Sequence, residues 1–306
     1  MTGDGRPASA SGVAAALPAP EPAPAPLPFG AGLARAVHAF PGLLRVGIAD
    51  VVAYRAEFLV WILTTNMPLV MLALWHAVAA DGPVGRFGQA EFTSYFLGVL
   101  AVRLLTSNWA AWQMSMEIRD GTLSAKLLRP VHPIYAYAAE HLAAVPMRTL
   151  VVSPIVALLF TTSWQSLLGH DARLALILVA ALLGAWLLTF FMMVLLGSLA
   201  FFIDSSIGVF ELWIGVYSIF SGYLIPLEAM TSAPSGPWVG RWILAAAEVL
   251  PFRFMLAFPV EVLVGLLTPA QALRLLAAQW LYVAAAFVGG LVVWRAGVRR
   301  FSAFGG

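Results

Sequence analysis

The chain has 306 residues, of which 61% are hydrophobic and 10% charged. A soluble domain usually carries about 25% charged residues, so this chain is too apolar to fold in water and apolar enough to fold in lipid. Its formal net charge of +2 is too weak a bias for a nucleic-acid partner, and the lack of cysteine excludes disulfides, thiolate chemistry and cysteine metal sites.

Residues 1–28 are rich in Ala, Pro, Ser and Gly, with proline at every second position from Pro18 to Pro28. Proline at that density prevents the continuous apolar helix of a signal peptide. The segment is expected to be a disordered cytoplasmic tail of extended, polyproline character. Residues 29–306 are expected to form one transmembrane domain. At its start, residues 30–57 mix Leu33, Val37, Phe40, Leu44 and Ile48 with Arg35, Arg45, Asp50 and Arg55. This predicts helices lying along the inner membrane surface, interrupted at Pro41, or else an ordinary juxtamembrane linker.

A span needs about 20 mostly apolar residues. Six stretches qualify: 58–78, 92–112, 144–164, 174–202, 207–227 and 275–294. Residues 249–267 are also apolar, but Pro251, Arg253, Pro259 and Glu261 suit an outer re-entrant segment better than a lipid-facing span. The expected fold is an all-α membrane protein of about six transmembrane helices. With both termini in the cytoplasm, eleven basic residues lie inside: four from Arg6 to Arg55, four from Arg119 to Arg148 and three from Arg295 to Arg300. Five lie outside: Arg86, Arg173, Arg241, Arg253 and Arg274. That asymmetry is the one membrane insertion prefers.

Motifs for chemistry are missing from the sequence. A phosphate-binding loop needs Gly-x-x-x-x-Gly-Lys-Ser/Thr, and Lys126, the one lysine, stands in Ser124-Ala125-Lys126-Leu127. The five histidines show no close metal spacing, and Glu140-His141 point apart on a helix. No catalytic, cofactor-binding or metal residue is assigned, and no cofactor is expected.

Other residues do stand out. Arg103 lies mid-way along the second stretch, and Glu211 about one turn into the fifth. Each is either a packing or insertion device or part of a polar path, and Glu211 either reaches the inner surface or pairs with Arg103. Gly208, Gly215 and Gly222 recur every seven residues, which predicts a close-approach face, within the chain or between two copies. Between the second and third stretches, Gly121 offers a turn into a short helix that Pro130 and Pro133 bring to an end. Leu123, Leu127 and Leu128 are expected to share one flank of that helix, rimmed by Arg119, Lys126 and Arg129.

The run Glu117-Ile118-Arg119-Asp120-Gly121-Thr122-Leu123, followed by Leu127-Leu128-Arg129-Pro130 and Pro133, resembles the permease subunits of bacterial ABC transporters of the second, exporter-like class. Leu250-Pro251-Phe252-Arg253-Phe254, Phe258-Pro259-Val260-Glu261 and the Arg299-Arg300-Phe301-Ser302 end are similar too, so the resemblance covers about residues 30–306. It implies six helices per subunit in the bacterial cytoplasmic membrane and a second permease, identical or a sister. It also implies ABC ATPase subunits on separate chains, and export of a substrate. In that setting the 117–133 loop, through Glu117, Arg119, Gly121, Leu123, Lys126, Leu127, Leu128 and Arg129, is the expected ATPase-coupling element. The alternative is a secondary transporter or channel independent of ATP.

Overall fold

The computed structural model describes residues 33–53, 56, 60, 66–163, 167, 171–203, 206–232 and 237–301. The Ala/Pro-rich tail and most of 58–65, the first half of the first predicted span, lie outside them.

Among the described residues every regular element is helical. The first helix, α1 (Leu33–Ala53), is followed by α2 (Met67–Val78) and α3 (Gln89–Thr106). Next come α4 (Ala110–Arg119), the five-residue α5 (Leu123–Leu127), α6 (Pro133–Ala143) and α7 (Val145–Ser163). Helix α8 (Ala172–Ser198) runs into a 3-10 turn and is followed by α9 (Ser206–Phe220). After a second 3-10 turn come α10 (Pro237–Val249), the short α11 (Phe252–Met255) and α12 (Ala257–Leu263), and finally α13 (Pro269–Val298).

Pro133–Thr162, Ala172–Phe201 and Pro269–Val298 are long and apolar enough to cross a membrane, and α2 and α9 are shorter apolar helices. Large apolar side chains stand exposed along α8 at Leu176, Val179 and Leu183, and along α13 at Leu273, Leu281, Val288 and Val292. Such spacing marks a helix side covered by lipid. Helix α3 is less apolar because protein encloses it: most of its residues from Phe92 to Thr106 are buried, and it packs on α2, α7, α8 and α12. The protein is an all-α membrane protein.

Several boundaries differ from expectation, each for a local reason. Helix α1 continues through Pro41. The carbonyl that loses its donor there belongs to Val37, which is exposed and can turn outward. The second stretch breaks at Ser107–Asn108–Trp109, dividing α3 from α4. The third helical stretch begins at Pro133, eleven residues earlier than 144, because proline at the first helical position is pre-organised for a helix and His132 caps it. Its interruption at Ala144 precedes Pro146, whose missing N–H leaves the Leu142 carbonyl without a helical donor. The fifth helix stops at Phe220 and not at 227; Gly222 then takes φ +77°, a left-handed turn that favours glycine.

The 249–267 segment forms no span. Its two short helices, α11 and α12, are almost wholly buried, and both pack on α8. Inside it, Arg253 Nη2 donates to Glu261 Oε2 at 2.8 Å, with both residues buried. Nearby, the fully buried Gln279 of α13 donates from one nitrogen to the carbonyls of Ala181 (2.9 Å) and Phe254 (2.8 Å). One amide thus ties α13, α8 and α11 together.

Candidate functional site

Two places in the fold gather chemistry, and α4 joins them. At its far end is the 117–133 loop. Gly121 adopts φ +72°, turning the chain from α4 into α5. Lys126 then points back under the turn. Its Nζ lies 2.9 Å from Glu117 Oε1 and 3.2 Å from Glu140 Oε1, and 4.0 Å from the centre of the Tyr137 ring. The Tyr137 hydroxyl donates to Glu117 Oε2 at 2.6 Å, and Gln113 Nε2 donates to Glu140 Oε2 at 2.6 Å. The cluster joins α4, α5 and α6, and one cation answers two carboxylates.

The leucines do not share a flank. Leu123 is fully buried, and Leu127 packs half-buried against the same core. Leu128 is 78% exposed, beside exposed Arg119 and Arg129. The outer surface of the loop therefore carries Leu128 as its large apolar side chain, with Arg119 and Arg129 and the exposed Asp120, Thr122, Ala125 and Pro130. Glu117 and Lys126 face inward and set the loop's shape.

Gln113, Tyr137 and Glu140 carry no motif that singles them out in the sequence. Their signal is the i, i+4 pair Gln113–Glu117 and the i, i+3 pair Tyr137–Glu140, each on one helix face. His132 closes the loop. Its Nδ1 accepts from the Ile134 N–H at 3.3 Å, and its ring lies 5.9 Å from that of Trp294. Burial, and secondarily Arg295, hold its imidazole down at about 4.

At the near end of α4 is the break itself. Arg103 stands in the last turn of α3 rather than at mid-span, where the negative end of the helix dipole favours a cation. Its guanidinium lies over the Tyr223 ring, 4.3 Å from the centre. No carboxylate among the described residues pairs with it, and Glu211 points away, exposed on α9. Arg148 of α7 is buried and donates to the Ser107 carbonyl, satisfying a backbone group at the break.

Beside Arg103 is a half-open cavity of about 210 Å³ walled by α3, the break, α8 and α9. Among the residues lining it are Asn108, Phe210, Trp213, Tyr217 and Tyr223. Among the described residues no group of three or more histidines and carboxylates stands close enough to hold a metal ion.

The three glycines separate. Gly208 and Gly215 lie on the exposed side of α9 with Glu211, Leu212 and Ile219, and nothing comes within 4 Å of where a Gly215 side chain would be. Gly222 has left the helix and sits under the Tyr95 hydroxyl, which donates to its carbonyl at 2.9 Å.

Neither a curated protein nor a solved structure matches the chain. A family model does. Residues 92–305, from the enclosed helix α3 through the inward-folded Lys126 loop, the buried 249–267 segment and the last long helix, match the family described as ABC-2 family transporter protein. With most of its length inside that match and its apolar helices built to meet lipid, the chain belongs to the ABC-2 family of membrane transporter proteins.

Proposed function

We propose that this chain is the membrane half of an ATP-driven exporter of the bacterial cytoplasmic membrane, and that separately encoded ATPase subunits dock on the turn around Gly121. The observation that carries the reading is the build of that turn. A half-buried ionic cluster fixes its shape, while Arg119, Leu128 and Arg129 remain outside. An apolar centre with a charged rim is a common form of protein contact. The one lysine in the chain is held by Glu117 and Glu140 and is not offered to a phosphate, which supports a reading in which nucleotide is hydrolysed on a partner. Helix α4, ten residues and about 15 Å long, then leads from the docking turn to the cavity beside Arg103.

A second copy of the chain, or a sister permease, would cover the α9 face of Gly208, Glu211, Leu212 and Gly215. Small residues there allow close backbone approach in lipid. Both termini are assigned to the cytoplasm by the basic asymmetry.

Co-purification of an ATPase encoded beside this chain tests the reading. Leu128→Asp should abolish capture, because a charge enters the centre of the contact. Arg129→Ala at the rim should weaken it less. Full retention of the ATPase by Leu128→Asp, with ATP-dependent transport intact, removes this turn from the coupling role.

A further inference from the structure

A guanidinium at membrane depth is costly unless a carboxylate, water or a ligand meets it. Arg253 has its carboxylate, and Arg148 is turned into the backbone at Ser107. Arg103 has an aromatic ring and an open cavity. We propose that the cavity at the α3–α4 break binds an amphipathic organic anion, with its acid group on Arg103 and Asn108 and its apolar body against the aromatic wall of α9.

The polar lining is dominated by donors. Asn108 is buried, and its Oδ1 faces the Ala110 N–H at 3.4 Å, which directs the amide nitrogen the other way. That nitrogen, the Trp213 indole nitrogen and the Ser107 hydroxyl are buried with no hydrogen-bond partner among the described residues. All three residues line the cavity, and three buried polar groups in its wall are a costly arrangement if nothing accepts from them. No carboxylate lines the cavity. The positive end of α4 starts at Ala110, two residues after Asn108, and offsets the negative end of α3, so that the Arg103 charge sets the sign of the field.

The wall fits the other half of the ligand. Phe210 and Trp213 stack with ring centres 6.2 Å apart, and Trp213 and Tyr217 with centres 5.1 Å apart. They form an aromatic run along one side of α9. A free inorganic anion would leave that face unused, a cation would meet Arg103 and the donors, and a neutral apolar molecule would leave the donors unanswered. An acid group joined to an aromatic or acyl body satisfies both. A membrane lipid with an anionic headgroup and a soluble amphiphile share this chemistry. That the bound anion is the cargo rests on the exporter reading, whereas the binding itself does not.

The test uses the full-length chain in phosphatidylcholine nanodiscs, without nucleotide or ATPase. The probes are 1-anilinonaphthalene-8-sulfonate and N-phenyl-1-naphthylamine, the same aromatic body without the sulfonate. Energy transfer from tryptophan, measured above that of empty discs, reports binding. The wild type should bind the sulfonate about tenfold more tightly than the amine, the size expected of a charge-assisted hydrogen bond. Arg103→Gln should erase that preference and leave the amine unaffected. Arg103→Lys should keep part of it, and Asn108→Asp should weaken the sulfonate further by placing a like charge in the site. Gel filtration identifies any variant that fails to fold, and either remaining variant then carries the test.

Equal affinity for the two probes in the wild type, or an unchanged ratio in folded Arg103→Gln, overturns the proposal. Repeating the titration in discs containing phosphatidylglycerol separates the sources: displacement of the sulfonate identifies a lipid headgroup as occupant, and unchanged binding identifies a soluble amphiphile. Loss of ATPase capture by Leu128→Asp would leave this binding intact, so failure of one reading is distinguishable from failure of the other.

Discussion

Arg253 and Arg103 both lie within the bundle, and their surroundings have little in common. Arg253 is met by Glu261 at 2.8 Å inside a segment where nearly every residue is buried, and Gln279 fastens that segment to two long helices. Arg103 stands at a helix end, over a single ring, beside a half-open cavity. A buried pair of charges fits one arrangement of the chain, since separating them strands both. A cation at a break keeps its field available for something else. The difference separates the part of the protein that holds its shape from the part equipped to meet a ligand.

The contrast is open to direct attack. Arg253→Leu leaves Glu261 buried without its partner and should cost about 3–5 kcal/mol. Arg253→Leu with Glu261→Leu should recover most of that, because two apolar groups can replace a buried pair. Thermal unfolding in detergent measures both, and equal losses would mean that the pair is not what holds the 249–267 segment.

Acid tests a buried group that stays neutral. The His132 imidazole is held down at about 4 in the folded chain, below its ordinary 6.5. The unfolded state therefore binds more protons between those values, and stability is lost as pH falls from about 6.5 towards 4. The loss should be about 2 kcal/mol at pH 5 and should vanish in His132→Asn. An equal pH slope in that variant would assign the effect elsewhere.

Gln279→Leu removes two hydrogen bonds from the fixed region and should cost about 1–2 kcal/mol, at the upper end for buried polar groups in membrane bundles. Arg103→Gln should cost least, about 1 kcal/mol or less, because what is lost is its contact with the one Tyr223 side chain. If Arg103→Gln proved as damaging as Arg253→Leu, Arg103 would be a structural charge and the contrast would collapse.

The sequence is most informative where composition and proline decide the outcome. Helical membrane character follows from the shortage of charge. The 249–267 segment is legible because two prolines and two charges cannot face lipid, and those charges find each other. Boundaries are harder. In the run 92–112 the adjacent turn formers Ser107 and Asn108 are the local sign of a break, but the contact that ties it, Arg148 reaching the Ser107 carbonyl from forty-one residues away, is not legible locally. Heptad spacing places Gly222 with Gly208 and Gly215, but the helix ends two residues before it. Lys126 reads as the rim of a docking surface, and only the return of α6 beneath the turn shows that Glu117 and Glu140 draw it inward.

That inward lysine has a practical side. The chain has a single lysine and no cysteine, so apart from the α-amino group Lys126 is its one primary amine. Its side chain is 13% exposed and its nitrogen is engaged by two carboxylates. Acylation by an amine-reactive ester requires a free nitrogen with room for the reagent. The rate of that acylation is therefore a gauge of how often the turn lets go of α6, and it needs no engineered residue.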